Sequence, residues 1–232
     1  MKPYHTLAET KTPEGEPLTL VEHDGHFYLQ SNGLQLMTTF SHGSEEDLAE
    51  LGCATFRPAR QPMILIGGLG FGFTLAKAAE TLPQKGARFI VAERTRDIVT
   101  WNQTHLAGLH PGLWEDDRVE ILHEAVQETI AGNPNTFSAI LLDVDNGPWS
   151  FHGEANEDLY SPKGLARAKD ALKEGGILTV WSARHDPSFE KQLRKAGFEV
   201  ECEKVPASKK GKKNRFHTIW LARNGEYQKR GR

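Results

Sequence analysis

From Pro62 onward the chain alternates short apolar runs with helix-like stretches, and its last two apolar runs are joined with no helix between them. The runs at 63–67, 87–92, 118–122, 138–143 and 176–181 read as strands, and 72–82, 95–107, 124–131, 162–173 and 186–196 read as helices. "SAILLDVD" and "GGILTVWSA" are apolar on both faces, as in a parallel sheet covered by helices on each side. Two further strands, 198–205 and 215–222, are separated only by "PASKKGKKNR". That connection is too short for a crossover helix, so this pair is antiparallel. The rhythm therefore predicts a seven-stranded α/β sheet whose final strand is reversed.

The segment ahead of this sheet has a different pattern. "PLTLVEHDGHFYLQSNGLQLMTTF" alternates apolar and polar residues, with Asp24-Gly25 and Asn32-Gly33 between the runs. Those dipeptides favour hairpin turns, so a small antiparallel sheet of two or three strands is expected. "SEEDLAELGCA" opens with a serine and acids, as a helix N-terminus does. The expected organisation is an N-terminal hairpin and oligomerisation region over 1–56, the main domain over 57–224 and a basic tail over 225–232. With a net charge of −3, the chain as a whole has no electrostatic bias toward nucleic acid or a membrane surface. Cys53 and Cys202 are isolated, with no metal-type spacing. "MKPYHTLAET" lacks the apolar core of a signal peptide. A cytoplasmic, reduced setting without a metal is the expectation.

"MILIGGLGFGFTLAKAAE" then sets four glycines, Gly67, Gly68, Gly70 and Gly72, between the first strand of the main sheet and its helix. Glycine costs backbone entropy and packs nothing, so such a cluster implies a sharp turn that a ligand approaches closely. Ligands of open parallel sheets sit at these strand ends. Glu93 ends the next strand, where a carboxylate can accept both hydroxyls of a ribose. The dinucleotide pattern G-x-G-x-x-G fails, because Phe73 or Leu75 stands at its third position. G-x-G-x-G over 68–72 fits a turn that cradles the amino-acid part of S-adenosylmethionine (SAM).

With these residues in place the chain resembles the spermidine synthase-like proteins of the class I SAM-dependent methyltransferase superfamily. The resemblance implies the SAM-methyltransferase Rossmann-like sheet with its last strand antiparallel, preceded by a small N-terminal antiparallel β-sheet. It runs through "LQLMTTF", "ILIGGLGFG", "VAERTRDIV", "LLDVDNGPW" and "LYSPKGLARAKDALKEGGILTVWS". It implies a donor site for SAM or decarboxylated SAM built from Gly67, Gly68, Gly70, Gly72, Glu93 and Arg94, with Glu124 and Ala125 at the adenine. It also implies a homodimer formed through the N-terminal sheet. Two departures stand out: Gly70 replaces the turn aspartate of true spermidine synthases, and "HGSEEDLAE" replaces their Y-H-E motif.

Asp143, Asp145 and Asn146 follow the fourth strand of the main sheet, the position that faces the donor sulfonium in this fold. Asp143 matches the first aspartate of the family motif, and Asp145 is a candidate second acid. Alkyl transfer to an amine needs the acceptor held in line and relieved of a proton, which carboxylates do. Asn146, then Trp149 and Tyr160 in the long segment 147–161, with Phe151 beside them and Trp181 after the fifth strand, are candidates for the acceptor pocket. His185 reads as a solvated residue, and "KKGKK" at 209–213 as a solvated loop. The expected activity is methyl transfer from SAM to a small amine-like acceptor. Aminopropyl transfer from decarboxylated SAM is the alternative, and a non-catalytic adenosine-binding module and an NAD-dependent oxidoreductase are the readings from other classes.

Overall fold

The computed structural model describes residues 3–144, 148, 157–208 and 215–225. Four N-terminal strands, β1 (His5–Lys11), β2 (Pro17–His23), β3 (His26–Ser31) and β4 (Leu34–Thr38), form an antiparallel meander in the order 1-2-3-4. Asp24 and Asn32 take positive φ of 51° and 49° ahead of their glycines, the geometry that Asp-Gly and Asn-Gly turns provide. The expected two or three strands are thus four. β1 was overlooked because "HTLAETK" is mostly exposed and has no apolar stripe.

The main sheet contains β5 (Met63–Gly67), β6 (Arg88–Ala92), β7 (Val119–Leu122), β8 (Phe137–Leu142), β9 (Leu172–Ser182), β10 (Glu199–Pro206) and β11 (Phe216–Arg223). Their order is 10-11-9-8-5-6-7. β5 lies parallel to β6 and β8, and β11 is antiparallel to both β9 and β10, as the short basic connection requires. β9 begins four residues earlier than the sequence predicts, through an exposed stretch over Lys173–Gly175 where the β8–β9 register shifts.

Helices cover both faces. On one side α1 (Gly43–Cys53), α2 (Phe73–Thr81) and α3 (Arg96–Gln103) bury Leu48, Leu75 and Ile98 against Ile64, Ile66 and Leu141. On the other, α4 (Val126–Gly132), α6 (Pro162–Ala171) and α7 (Pro187–Lys195) bury Ile130, Leu165 and Phe189 against Leu65, Ile140 and Trp220. A four-residue turn of helix, α5 (Glu157–Tyr160), leads into α6. Successive residues of β5 thus serve opposite cores, and each fully buried Ile or Leu contributes about 1.5–3 kcal/mol.

The N-terminal sheet is not a separate body. Leu18, Leu20 and Leu29 belong to the same core as α1 and α2. α1 itself packs on α2 and on strands β8 to β11. Its start is tied to the β10–β11 hairpin, where Gly43 N and Ser41 Oγ both donate to Ala207 O at 3.1 and 3.0 Å. Tyr4, Leu34, Leu36 and Phe40 remain exposed on or beside the N-terminal sheet. No helix among the described residues is long and apolar enough to cross a membrane.

Candidate active site

The carboxyl ends of β5, β6 and β8 open into a crevice of about 320 Å³, closed on its far side by the N-terminal sheet and the start of α1. The turn after β5 forms its floor. Gly68, Gly70 and Gly72 have φ of +82°, +51° and +80°, which L side chains rarely adopt. A Cβ on Gly68 would lie 3.0 Å from the carbonyl oxygen of Asp143. The turn is braced from below by Asn102, whose Nδ2 donates to Gly70 O at 2.8 Å.

Glu93 locks this turn to the neighbouring strand. One carboxylate oxygen accepts from Leu69 N at 2.9 Å and the other from Thr95 N at 2.8 Å. Burial pushes its pKa up, while the amides of Leu69 and Thr95 pull it back. The carboxylate lines the crevice, where it can accept from ribose hydroxyls.

Asp143 stands opposite, just past β8, and Oδ2 accepts from Thr74 Oγ1 at 3.0 Å. Burial raises its carboxyl to about 6, opposed only by that hydroxyl. Glu45, the third residue of α1, reaches the same crevice and is 7% exposed. Its pKa is raised well above the ordinary carboxylate value, first by burial and then by repulsion from Asp143. His217, at the start of β11, shares a 2.8 Å hydrogen bond between Nδ1 and Ser44 Oγ, and its ring lies edge-on to Trp181. Burial and Arg215 push the His217 pKa down to about 4.

Of the residues singled out from sequence, Gly68, Gly70, Glu93, Arg94, Asp143 and Trp181 line this crevice. Arg94 does so with its guanidinium paired to Glu14. Gly67 and Gly72 do not line it. A Cβ on Gly67 would crowd Leu142 and Val126, and one on Gly72 would meet His110, so both glycines serve packing. Glu124 also lies off the crevice, accepting from Thr129 Oγ1 at 2.6 Å, and with Ala125 it gives way on the wall to Val126 and Gln127. Tyr160 corrects the expectation of an acceptor-pocket wall: it is 5% exposed and packs edge-on against Phe189 in the core beneath α7. His185 lies away from the crevice, beside Cys202. Asp145, Asn146, Trp149, Phe151 and the lysines of 209–213 lie outside the described residues.

Sequence reasoning missed Met37, Ser44, Glu45 and His217. Ser44 is not the cap it resembles: His42 holds the cap position without a side-chain bond, and Ser44 is buried against His217. Met37 of β4 fills the space beside residue 70, its Cε 2.7 Å from where a Cβ would be. The only available signal was the run of three acids at 45–47, longer than a helix start requires.

No family profile matches the chain. Over 120 residues it is 29% identical to a polyamine aminopropyltransferase of Pyrobaculum islandicum, covering 50% of this chain and 40% of that protein. Over 139 residues it is 30% identical to one of Nitrosomonas europaea, covering 58% and 39%. A spermidine synthase crystallised with the transition-state analogue AdoDATO superposes with a TM-score of 0.70 at 18% identity, over 95% of this chain and 72% of the other. The spermidine synthase of Thermotoga maritima gives 0.71 at 19% identity, over 95% and 73%. The chain is spermidine synthase-like. Its main sheet is that of the SAM-methyltransferase-like fold, with the last strand antiparallel and the small antiparallel sheet in front. The matched part spans about two fifths of the length of those curated relatives.

Proposed function

We propose that the chain is a transferase that moves an aminopropyl group from decarboxylated SAM to a small amine. The observation that carries this reading is the juxtaposition in one crevice of the bare Gly68–Gly70 backbone, the braced Glu93 and the buried Asp143. The names of the curated relatives turn the reading from methyl to aminopropyl transfer. The crevice suits an adenosyl donor: the glycine turn leaves room against its backbone, and Glu93 offers acceptors for a ribose. Val126 and Gln127 supply the wall where an adenine would lie.

Such a donor, when bound, supplies a sulfonium whose neighbouring carbon is electrophilic. The protein's part is to align the amine and take its proton. Asp143, held by Thr74, binds the incoming ammonium and accepts one proton from it. The freed nitrogen lone pair forms the new N–C bond, the C–S electron pair passes to sulfur, and the proton on Asp143 leaves to solvent. The exposed apolar residues of the N-terminal sheet support pairing of two copies there.

Incubation with 1,4-diaminobutane and either donor, followed by mass spectrometry, tests the reading. Decarboxylated SAM should yield methylthioadenosine and an extended polyamine. S-adenosylhomocysteine formed from intact SAM would restore methyl transfer, which Met37 beside Gly70 favours by placing a thioether where an acid would otherwise hold an amine.

A further inference from the structure

We propose that Glu45 is a direct ligand of the acceptor amine, forming with Asp143 a two-carboxylate clamp across the crevice. This rests on the transfer reading above and adds to it a residue from outside the main sheet.

Acids in the first turn of a helix ordinarily face water and complement its positive end. Glu46 does this, paired with His42 at 3.1 Å. Glu45, one position earlier, turns inward and is buried on the crevice wall. The influences on it are burial, the charges of Asp143 and Glu46, and its own backbone amide; those on Asp143 are burial and the Thr74 hydroxyl. Among the described residues no lysine, arginine or histidine pairs with either. Two carboxyls buried together without a cation are costly, and the cost falls when a cation enters between them.

A second observation points to an occupant. Among the described residues His217, which is 7% exposed and lines the same crevice, has no hydrogen-bond partner for its Nε2. Buried polar atoms are rarely left unsatisfied. This wall is continuous with Glu45, because Ser44 binds the other nitrogen of His217. With Nδ1–H donating to Ser44, Nε2 is an acceptor, so a cationic ligand with several N–H groups answers both the paired carboxyls and the imidazole. Among the described residues no group of three or more His, Cys, Asp or Glu is arranged to hold a metal ion.

The test is calorimetric titration of the full chain with 1,4-diaminobutane, with and without methylthioadenosine, using 1,4-butanediol as the uncharged control. Glu45→Gln should weaken diamine binding by about tenfold or more, the effect of losing a charge-assisted contact. Glu45→Asp should recover part of the loss, and methylthioadenosine affinity should stay within about twofold of the parent throughout. The ligand-free Glu45→Gln variant should melt at or above the parent temperature, because one of two mutually repelling buried carboxyls is gone; a purely structural acid would have the opposite effect. Diamine affinity unchanged in Glu45→Gln overturns the inference, as does diol binding equal to diamine binding. So does loss of diamine and nucleoside binding together in a variant of lowered melting temperature. If the parent binds nucleoside but no diamine, this inference falls and the donor site stands. If it binds diamine through Glu45 but no adenosyl compound, the transfer reading falls and the clamp stands.

Discussion

Asp143→Asn should make the protein more stable in mildly alkaline solution while abolishing transfer. The carboxyl of Asp143 is raised from 3.8 to about 6 in the folded chain. Between those values the folded state holds a proton that the unfolded state has released, so stability falls as pH rises through the window. Above it the full deficit is present. A shift of roughly two units at 1.36 kcal/mol each amounts to about 3 kcal/mol. For a chain of this size that is worth roughly 6–12 °C in melting temperature. Asparagine keeps an oxygen for the Thr74 hydroxyl and removes the ionisation. His217, with its pKa pushed down to about 4, titrates across part of the same window with the opposite sign, since there the unfolded state binds the extra proton. The diagnostic quantity is therefore the variant-minus-parent difference, in which His217 cancels and the release of Glu45 from Asp143's repulsion adds with the same sign as Glu45 ionises. Urea unfolding followed by circular dichroism over a pH series measures it. The difference should be smallest below the unfolded pKa of 3.8 and grow as pH passes through about 6. A difference independent of pH would refute the buried-carboxylate account of the site.

Two further outcomes follow from the turn. Glu93→Gln keeps one acceptor oxygen but directs an amide N–H at a backbone N–H, so it should lose one of the bonds to Leu69 and Thr95. Stability should drop by about 1–3 kcal/mol in urea unfolding, with a weakened calorimetric affinity for methylthioadenosine; unchanged values for both would show that the ribose site lies elsewhere. Gly70→Ala should cost about 1–2 kcal/mol through its φ of +51° and its contact with Met37. Adding Met37→Ala should return the steric part, seen as non-additivity in a double-mutant cycle, and strict additivity would exclude that contact.

The alternation of strands and helices was readable because periodicity and glycine placement are local properties, and β5 through β8 fall within a residue or so of their expected bounds. The reversed β11 was readable from loop length alone. What escaped depends on contacts distant in sequence. Nothing near Met37 indicates that it will meet Gly70, and nothing in "GSEED" says which acid turns inward. Tyr160 misled for the converse reason: an aromatic residue after a polar loop looks like a pocket wall, yet α7 brings Phe189 over it. Glu124 and Ala125 were placed one or two residues short of the wall that Val126 and Gln127 form.

Because β11 runs opposite to its neighbours, its beginning rather than its end reaches the crevice, bringing Arg215 and His217 to the wall. The hairpin leading into it closes at Ala207 N to Arg215 O, and the same Ala207 carbonyl anchors the start of α1. Lengthening or shortening that hairpin would leave the nucleoside grip intact while moving the opposite jaw. The mouth of the pocket is therefore an adjustable part on a fixed frame, and, on the proposed transfer reading, a library of loop lengths there is a route to altered preference for amines of different reach.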